Sequence, residues 1–144
     1  MKLLVLNGPN INFIGIREKS IYGNKDYSYL CKIINEEAEK NNIDVSIKQS
    51  NIEGEIINFI QEAYDNYDGI IINPGAYTHY SYAIYDALKS VNIPIIEVHI
   101  SNIHSRDEFR KKSVTAAAAV GIISGFGLNG YLMAINAFLE MIIN

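Results

Sequence analysis

The chain has 144 residues, 49% hydrophobic and 19% charged, with a formal net charge of −4. That is an ordinary globular composition, and the length fits one domain, residues 1–144, able to bury roughly 70% of the surface its unfolded chain exposes. Mild acidity argues against a general nucleic-acid binder, the single cysteine, Cys31, excludes an intramolecular disulfide, and no apolar stretch reaches the roughly 18 residues that would span a bilayer.

Met1-Lys2 leads straight into Leu3-Leu4-Val5-Leu6, which is too short for a secretory apolar region. No targeting segment is expected, and the cytoplasm is the expected compartment. Leu3 to Leu6 reads as a buried first strand, ended by the turn residues Asn7-Gly8-Pro9-Asn10. A long polar loop follows, to about Asp26. Tyr27 to Asn41 has helical spacing, with Leu30, Ile33, Ile34 and Ala38 on one face and Glu36, Glu37, Glu39 and Lys40 on the other. Cys31 falls on the apolar side, where a small buried hydrophobe is expected.

Ile43 to Lys48 alternates apolar and polar residues, as an edge strand does. Glu53 to Tyr67 repeats the helical pattern through Ile56, Ile57, Ile60 and Ala63. Gly69-Ile70-Ile71-Ile72 is short, β-branched and uncharged, which suits a strand buried on both faces. Ser81 to Val91 reads as a helix, Pro94 to His99 as a fourth strand, and Asp107 to Lys112 as a short charged helix. Ala117 to Ile123 is a candidate fifth strand, and Asn129 to Ile143 a last helix. Strands and helices alternate, which predicts an α/β domain: a flavodoxin-like five-stranded parallel sheet, order 2-1-3-4-5, with helices on both faces.

In such a sheet ligands bind outside the carboxyl ends of the strands. Three segments meet there in that order: Asn7 to Asn10, Asn73 to His79, and Glu97 to Asn102. Asn73-Pro74-Gly75 ends its strand, because proline lacks a ladder donor and glycine lets the chain turn. Glu97 and His99 are two apart, so both fall on one face of their strand. A carboxylate beside an imidazole orients it and favours its protonated form, which suits a general acid. The loop of about twenty residues after the first strand is long for a compact domain, and such loops usually work as lids or binding loops. It carries Arg17 and Tyr22; a cation close to a phenol favours the phenolate.

The segments Leu6-Asn7-Gly8-Pro9-Asn10-Ile11-Asn12, Arg17-Glu18, Ile21-Tyr22-Gly23, Gln49-Ser50-Asn51-Ile52-Glu53-Gly54-Glu55, Ile72-Asn73-Pro74-Gly75-Ala76-Tyr77-Thr78-His79, Glu97-Val98-His99-Ile100-Ser101-Asn102-Ile103 and Arg106-Asp107-Glu108-Phe109-Arg110 occur in this order. Together they closely resemble the type II 3-dehydroquinate dehydratases over nearly the whole chain. The resemblance implies loss of water from 3-dehydroquinate to give 3-dehydroshikimate, by anti elimination through an enolate, with no covalent intermediate, no metal and no cofactor.

It also implies roles. Tyr22 matches the general base, and Arg17 the cation that keeps that tyrosine ionised. His99 matches the general acid, and Glu97 its orienting partner. Asn10 matches a residue that helps hold a water near the enolate oxygen. Asn73, His79, Ser101, the backbone of Ile100, and Arg110 match the substrate-binding set. Asp86 matches a residue that reaches the site of a neighbouring subunit. The family's usual assembly is a homo-dodecamer, a tetramer of trimers. Lys111-Lys112-Ser113-Val114-Thr115-Ala116 departs from the family's usual sequence, which is expected to alter packing and interface contacts rather than the chemistry.

Other readings are weaker. A type I dehydratase would need a (β/α)₈ barrel, for which this chain is too short. A flavin or phospho-receiver module would need a phosphate-cradling loop or an acidic cluster, and Asn7-Gly8-Pro9-Asn10 supplies neither. His99 and His104 with Glu97 do not match a common zinc spacing. A non-catalytic flavodoxin-like small-molecule binding module remains as the alternative, although it would be expected to have lost Tyr22, Arg17 or His99.

Overall fold

The structure is a computed structural model that describes residues 1–16, 20 and 25–143, the last two by backbone alone. Strands β1 (Lys2–Asn7), β2 (Asp44–Gln49), β3 (Gly69–Asn73), β4 (Ile95–His99) and β5 (Gly121–Ser124) form one sheet in the order β2-β1-β3-β4-β5. All four pairings are parallel. Helices α1 (Tyr27–Lys40), α2 (Glu53–Ala63), α3 (Tyr82–Ser90) and α4 (Asn129–Ile143) cover both faces.

Period-two alternation along each strand divides the core in two. Leu3 and Val5 of β1, with Ile71 and Ile96, pack against Leu30, Ile34 and Ala38 of α1 and Ala134, Ile135 and Phe138 of α4. Leu4 and Leu6, with Ile70 and Ile72, pack against Ile56 and Ile60 of α2 and Ile84 and Leu88 of α3. Every residue of β3 and β4 is buried, as a strand covered on both faces requires. β2 is an edge, and its residues after Asp44 are only partly buried. Two helices begin on side-chain caps. The Asp26 carboxylate accepts from Tyr29 N–H of α1, and the Ser81 hydroxyl from Ile84 N–H of α3.

Four expectations need correction. The second helix stops at Ala63, not Tyr67. Tyr64 is extended and Asp65 left-handed, while the Asn66 amide donates to Glu62 O at 2.8 Å. Cys31 is only partly buried. The fifth strand starts at Gly121: Ala116–Ala118 winds into one 3-10 turn, with Ala118 N–H bonded to Thr115 O and Ala119 N–H to Ala116 O. Alanine has little strand preference to resist that turn. Finally, the β4–β5 crossover carries no α-helix. Its charged stretch forms a single 3-10 helix, Glu108–Lys111, among short turns. This irregular crossover lies over the carboxyl end of β4.

Candidate functional site

Strand register brings the polar ends together. Asn7 pairs with Asn73 and Gln49, Ile72 with Glu97, and His99 with Ser124. Beyond these ends lies a pocket of about 110 Å³, bounded by Pro9, Asn10, Asn73, His79, His99, Ile100, Ser101, Arg106 and Arg110 among others. Seven expected site residues therefore share one cavity. Glu97 lies next to it, fully buried and bonded to His99. Asp86 lies exposed on α3 and does not line the pocket of its own chain. Arg17 and Tyr22 fall outside the described residues.

The β1 and β3 loops interlock through their backbones. Gly8 N–H donates to Asn73 O at 2.7 Å. A Cβ on Gly8 would collide with the Pro74 carbonyl, and one on Gly75 (φ +60°) would sit 2.9 Å from Pro9 O. Both glycines are therefore required by close approach. Asn10 takes a left-handed conformation (φ 68°), which asparagine tolerates better than most residues. Its N–H is held by the Asn51 side chain at 3.0 Å. Asn73 is fixed from two sides: its amide donates to Tyr131 OH at 2.9 Å, and its carbonyl accepts from Gly75 N–H. The Tyr131 hydroxyl in turn donates to Asn7 Oδ1 at 2.7 Å. Tyr131, left without a role by sequence reading, thus ties β1 to β3 beneath the pocket.

His99 Nε2 lies 2.6 Å from Glu97 Oε1. A carboxylate accepts from an N–H, so Nε2 carries the proton of that bond and Nδ1 is left for other partners. Glu97 is held below the ordinary carboxylate range. Burial, the largest single influence, pushes it up, but the hydrogen bond and charge of His99, with the Thr115 and Thr78 hydroxyls, outweigh it. Thr78 Oγ1 and Ser113 Oγ donate to Glu97 Oε1 at 2.7 and 3.0 Å, and Thr115 Oγ1 to Oε2 at 2.7 Å. Two residues of the atypical 111–116 segment, Ser113 and Thr115, thus bond directly to the buried Glu97.

His79 Nδ1 lies 2.6 Å from Lys112 O, so Nδ1–H donates and Nε2 is left as an acceptor. Burial lowers its pKa, and the nearby charges of Arg110, His99 and Arg106 add to that fall against the pull of the Lys112 carbonyl. His79 is accordingly neutral near pH 7. Arg110 is steadied by Asp107 at 3.3 Å and lies over the Phe109 ring. Arg106 Nη1 donates to Ser101 Oγ at 3.2 Å. Two guanidinium groups and Ser101 thus give one wall the chemistry to hold a carboxylate.

Sequence reading missed Arg106, Thr78, Ser113 and Thr115. Arg106 is four residues before Arg110, a usable hint of a shared anion site. Ser113 and Thr115 have the same two-residue spacing as Glu97 and His99, but no sequence signal pairs the two couples. Among the described residues no group of three or more His, Cys, Asp or Glu side chains is arranged to hold a metal ion, and no helix is long and apolar enough to cross a membrane.

Comparison with known proteins gives the same direction. Residues 1–139 match the family model described as dehydroquinase class II. The chain is 66% identical over 142 residues to a 3-dehydroquinate dehydratase of Clostridium acetobutylicum, covering 99% of each. It superposes on the crystal structure of a type II dehydroquinase from Butyrivibrio crossotus with a TM-score of 0.95 and 62% identity, covering 96% of this chain and 97% of the other. The type II dehydroquinase from Propionibacterium acnes gives a TM-score of 0.93 at 41% identity, with 96% of each chain covered. With the flavodoxin-like strand order and the polar pocket at its carboxyl edge already in place, these matches show that the chain belongs to the class II dehydroquinase family.

Proposed function

We propose that this pocket removes water from 3-dehydroquinate to give 3-dehydroshikimate, as a hydro-lyase of the shikimate pathway, by the type II route. The observation that carries the reading is the buried Glu97–His99 pair beside a cavity that also gathers Asn10, Asn73, His79, Ser101 and Arg110.

The carboxylate of the substrate meets Ser101, the Ile100 backbone and the arginine-rich wall. Arg110 supplies charge, and the neutral His79 supplies a hydrogen-bond acceptor that does not compete for the anion. Tyr22, in the phenolate form that the Arg17 cation would favour, takes a proton from the carbon next to the ketone, leaving an enolate. Asn10 helps hold a water at the enolate oxygen, where a preorganised donor matters because charge develops there. The enolate then expels the neighbouring hydroxyl, and His99 gives it a proton, so that water leaves. The electron pair of the broken C–H bond becomes the new C=C bond, and no bond to the protein forms. Tyr27 is no substitute base: burial pushes its phenol up to about 12, against a smaller pull from Asn7.

Asp86 would act from a neighbouring subunit. Its exposed place on α3 suits a group that completes another chain's pocket, and the working assembly on this reading is a homo-dodecamer of four trimers, acting in the cytoplasm. Residues 1–144 serve as one catalytic domain.

The test is an ultraviolet assay with 3-dehydroquinate, run with and without borohydride. The product is a conjugated enone-carboxylate, so its formation is directly visible. Turnover that survives borohydride is expected. Loss of turnover on borohydride treatment would point to a lysine imine and overturn the mechanism, and folded, assembled protein with no turnover would favour a non-catalytic binding module.

A further inference from the structure

We propose that Thr78, Ser113 and Thr115 form a hydroxyl clamp that positions Glu97 and, through it, His99 for proton transfer, so that the crossover between β4 and β5, which carries no α-helix, is a working part of the site. The inference rests on the dehydratase reading for its kinetic consequence, but not for the clamp itself.

Proton counting supports it. An ionised carboxylate has about four lone-pair sites and no proton to give. Around Glu97 there are four donors: the three hydroxyls at 2.7, 3.0 and 2.7 Å, and His99 Nε2–H at 2.6 Å. All four can donate at once only to an ionised Glu97, three of them to Oε1 and Thr115 alone to Oε2. The hydroxyls also lie 2.7, 2.8 and 3.3 Å from one another. Three hydroxyl protons cannot serve six contacts, and the carboxylate's charge is the strongest claim on them. The 2.7 and 2.8 Å contacts from Thr78 Oγ1 to Ser113 and Thr115 are themselves at hydrogen-bonding distance, so the three hydroxyls share their protons among one another and the anion.

Burial makes the clamp necessary. Glu97, Thr78 and Thr115 are each 0% exposed. A buried carboxylate without donors takes up a proton or turns away, since an unpaired charge in a dry interior is costly. Either change would release Nε2 of His99 and the orientation that Glu97 gives it. His99 is the titratable group that acts on Glu97; its other partners are neutral hydroxyls.

The crossover is itself tied down at this point. Val114 N–H donates to Thr78 O at 2.7 Å, and Ala116 N–H to Ser113 Oγ at 3.0 Å. Val114 thus lies between two residues that reach the carboxylate, and its backbone holds the loop carrying the third. The 3-10 turn at Ala116–Ala118, which displaced the expected strand start, begins directly after Thr115. A strand running through these alanines would have to give up the turn bond from Ala118 N–H to Thr115 O.

The decisive variant is Thr115→Val, which keeps the shape and deletes one donor; Thr115→Ser restores the hydroxyl. Carbon-13 titration of the Glu97 carboxyl in the folded protein reads the clamp whether or not the protein turns over. Its midpoint should rise in Thr115→Val and return in Thr115→Ser. In kinetics, kcat should fall roughly tenfold or more, the equivalent of one hydrogen bond to a charged group, with KM within about twofold. Activity that needs ionised Glu97 is lost as pH falls through its pKa, so the acidic limb of the rate profile should move to higher pH. Ser113→Ala, at a partly exposed position, gives the same readouts if Thr115→Val does not fold. An unmoved Glu97 midpoint, or a rise in KM alone, would overturn the clamp. Inactive wild-type protein would instead overturn the dehydratase reading, and the carboxyl titration would still decide the clamp.

Discussion

The two sides of the pocket are held by different means. On the β1–β3 side, backbone meets backbone. Gly8 N–H bonds Asn73 O, Gly8 and Gly75 leave no room for a Cβ, and Tyr131 ties Asn7 to Asn73 from below. On the β4–β5 side, an irregular crossover is held largely through side chains. Three hydroxyls reach Glu97, Arg106 reaches Ser101, and Arg110 leans on Asp107. The first side fixes where the chain runs, and its glycines matter for what they lack. The second fixes the charge and direction of the groups that would move protons, and its residues matter for single atoms. A change to the glycines of the first side should therefore read out as stability, and one to the polar groups of the second as chemistry.

The largest effect should come from the second side. His99→Gln removes the proposed acid but keeps a side-chain N–H that can serve Glu97, so kcat should fall roughly 10²–10⁴-fold while the urea midpoint changes far less. Exchange of the proton beside the ketone, followed by NMR in deuterated buffer, should persist, because Tyr22 and not His99 is assigned that step. Loss of exchange along with turnover would give His99 an earlier role. Next in size, and opposite in kind, is Gly8→Ala. Its methyl would meet the Pro74 carbonyl, which is backbone and has no rotamer to swing aside. We expect a loss of about 1–3 kcal/mol in urea unfolding, the usual cost of overpacking. A neutral result would mean that the interlock has slack, and the contrast between the two sides would fail at its firmest point.

The same contrast explains what could be read in advance. Strands and turns announce themselves locally. Four consecutive apolar residues, Leu3 to Leu6, and the Asn-Pro-Gly at 73–75 were enough to place β1 and the end of β3, and alternation of strands and helices implied a parallel sheet, for which the flavodoxin-like order was the expected one. Glu97 and His99 were legible because two-residue spacing on a strand forces a shared face. The crossover was not. Its alanines at 116–119 look like apolar strand, yet Ala116–Ala118 wind into a turn directly after Thr115, which is bonded to a carboxylate eighteen residues back in sequence. Ser113 and Thr115 carry no periodic or turn signal, and only strand register and the fold of the crossover bring them to Glu97. The end of α2 was missed for a related reason: Asn66 caps Glu62 by a local side-chain bond that apolar spacing does not reveal.

The smallest predicted effect sharpens the contrast from the other direction. If the crossover works through particular hydroxyls and backbone carbonyls, its surface charges should be dispensable even though they lie in the same atypical segment. Lys111 is the clean case. Its ammonium lies 2.8 Å from Glu108 Oε2, one 3-10 turn back, with the two side chains 46% and 87% exposed. Water competes for both groups, and ordering two long side chains offsets most of the attraction, so pairs of this kind contribute roughly 0–1 kcal/mol. Lys111→Ala should leave kcat and KM within about twofold and the urea midpoint nearly unchanged. Lys112→Ala should behave alike, because His79 takes only the backbone carbonyl of Lys112, which alanine retains. A large kinetic loss in either variant would show that the crossover's charge, and not its hydroxyls and carbonyls, governs the site.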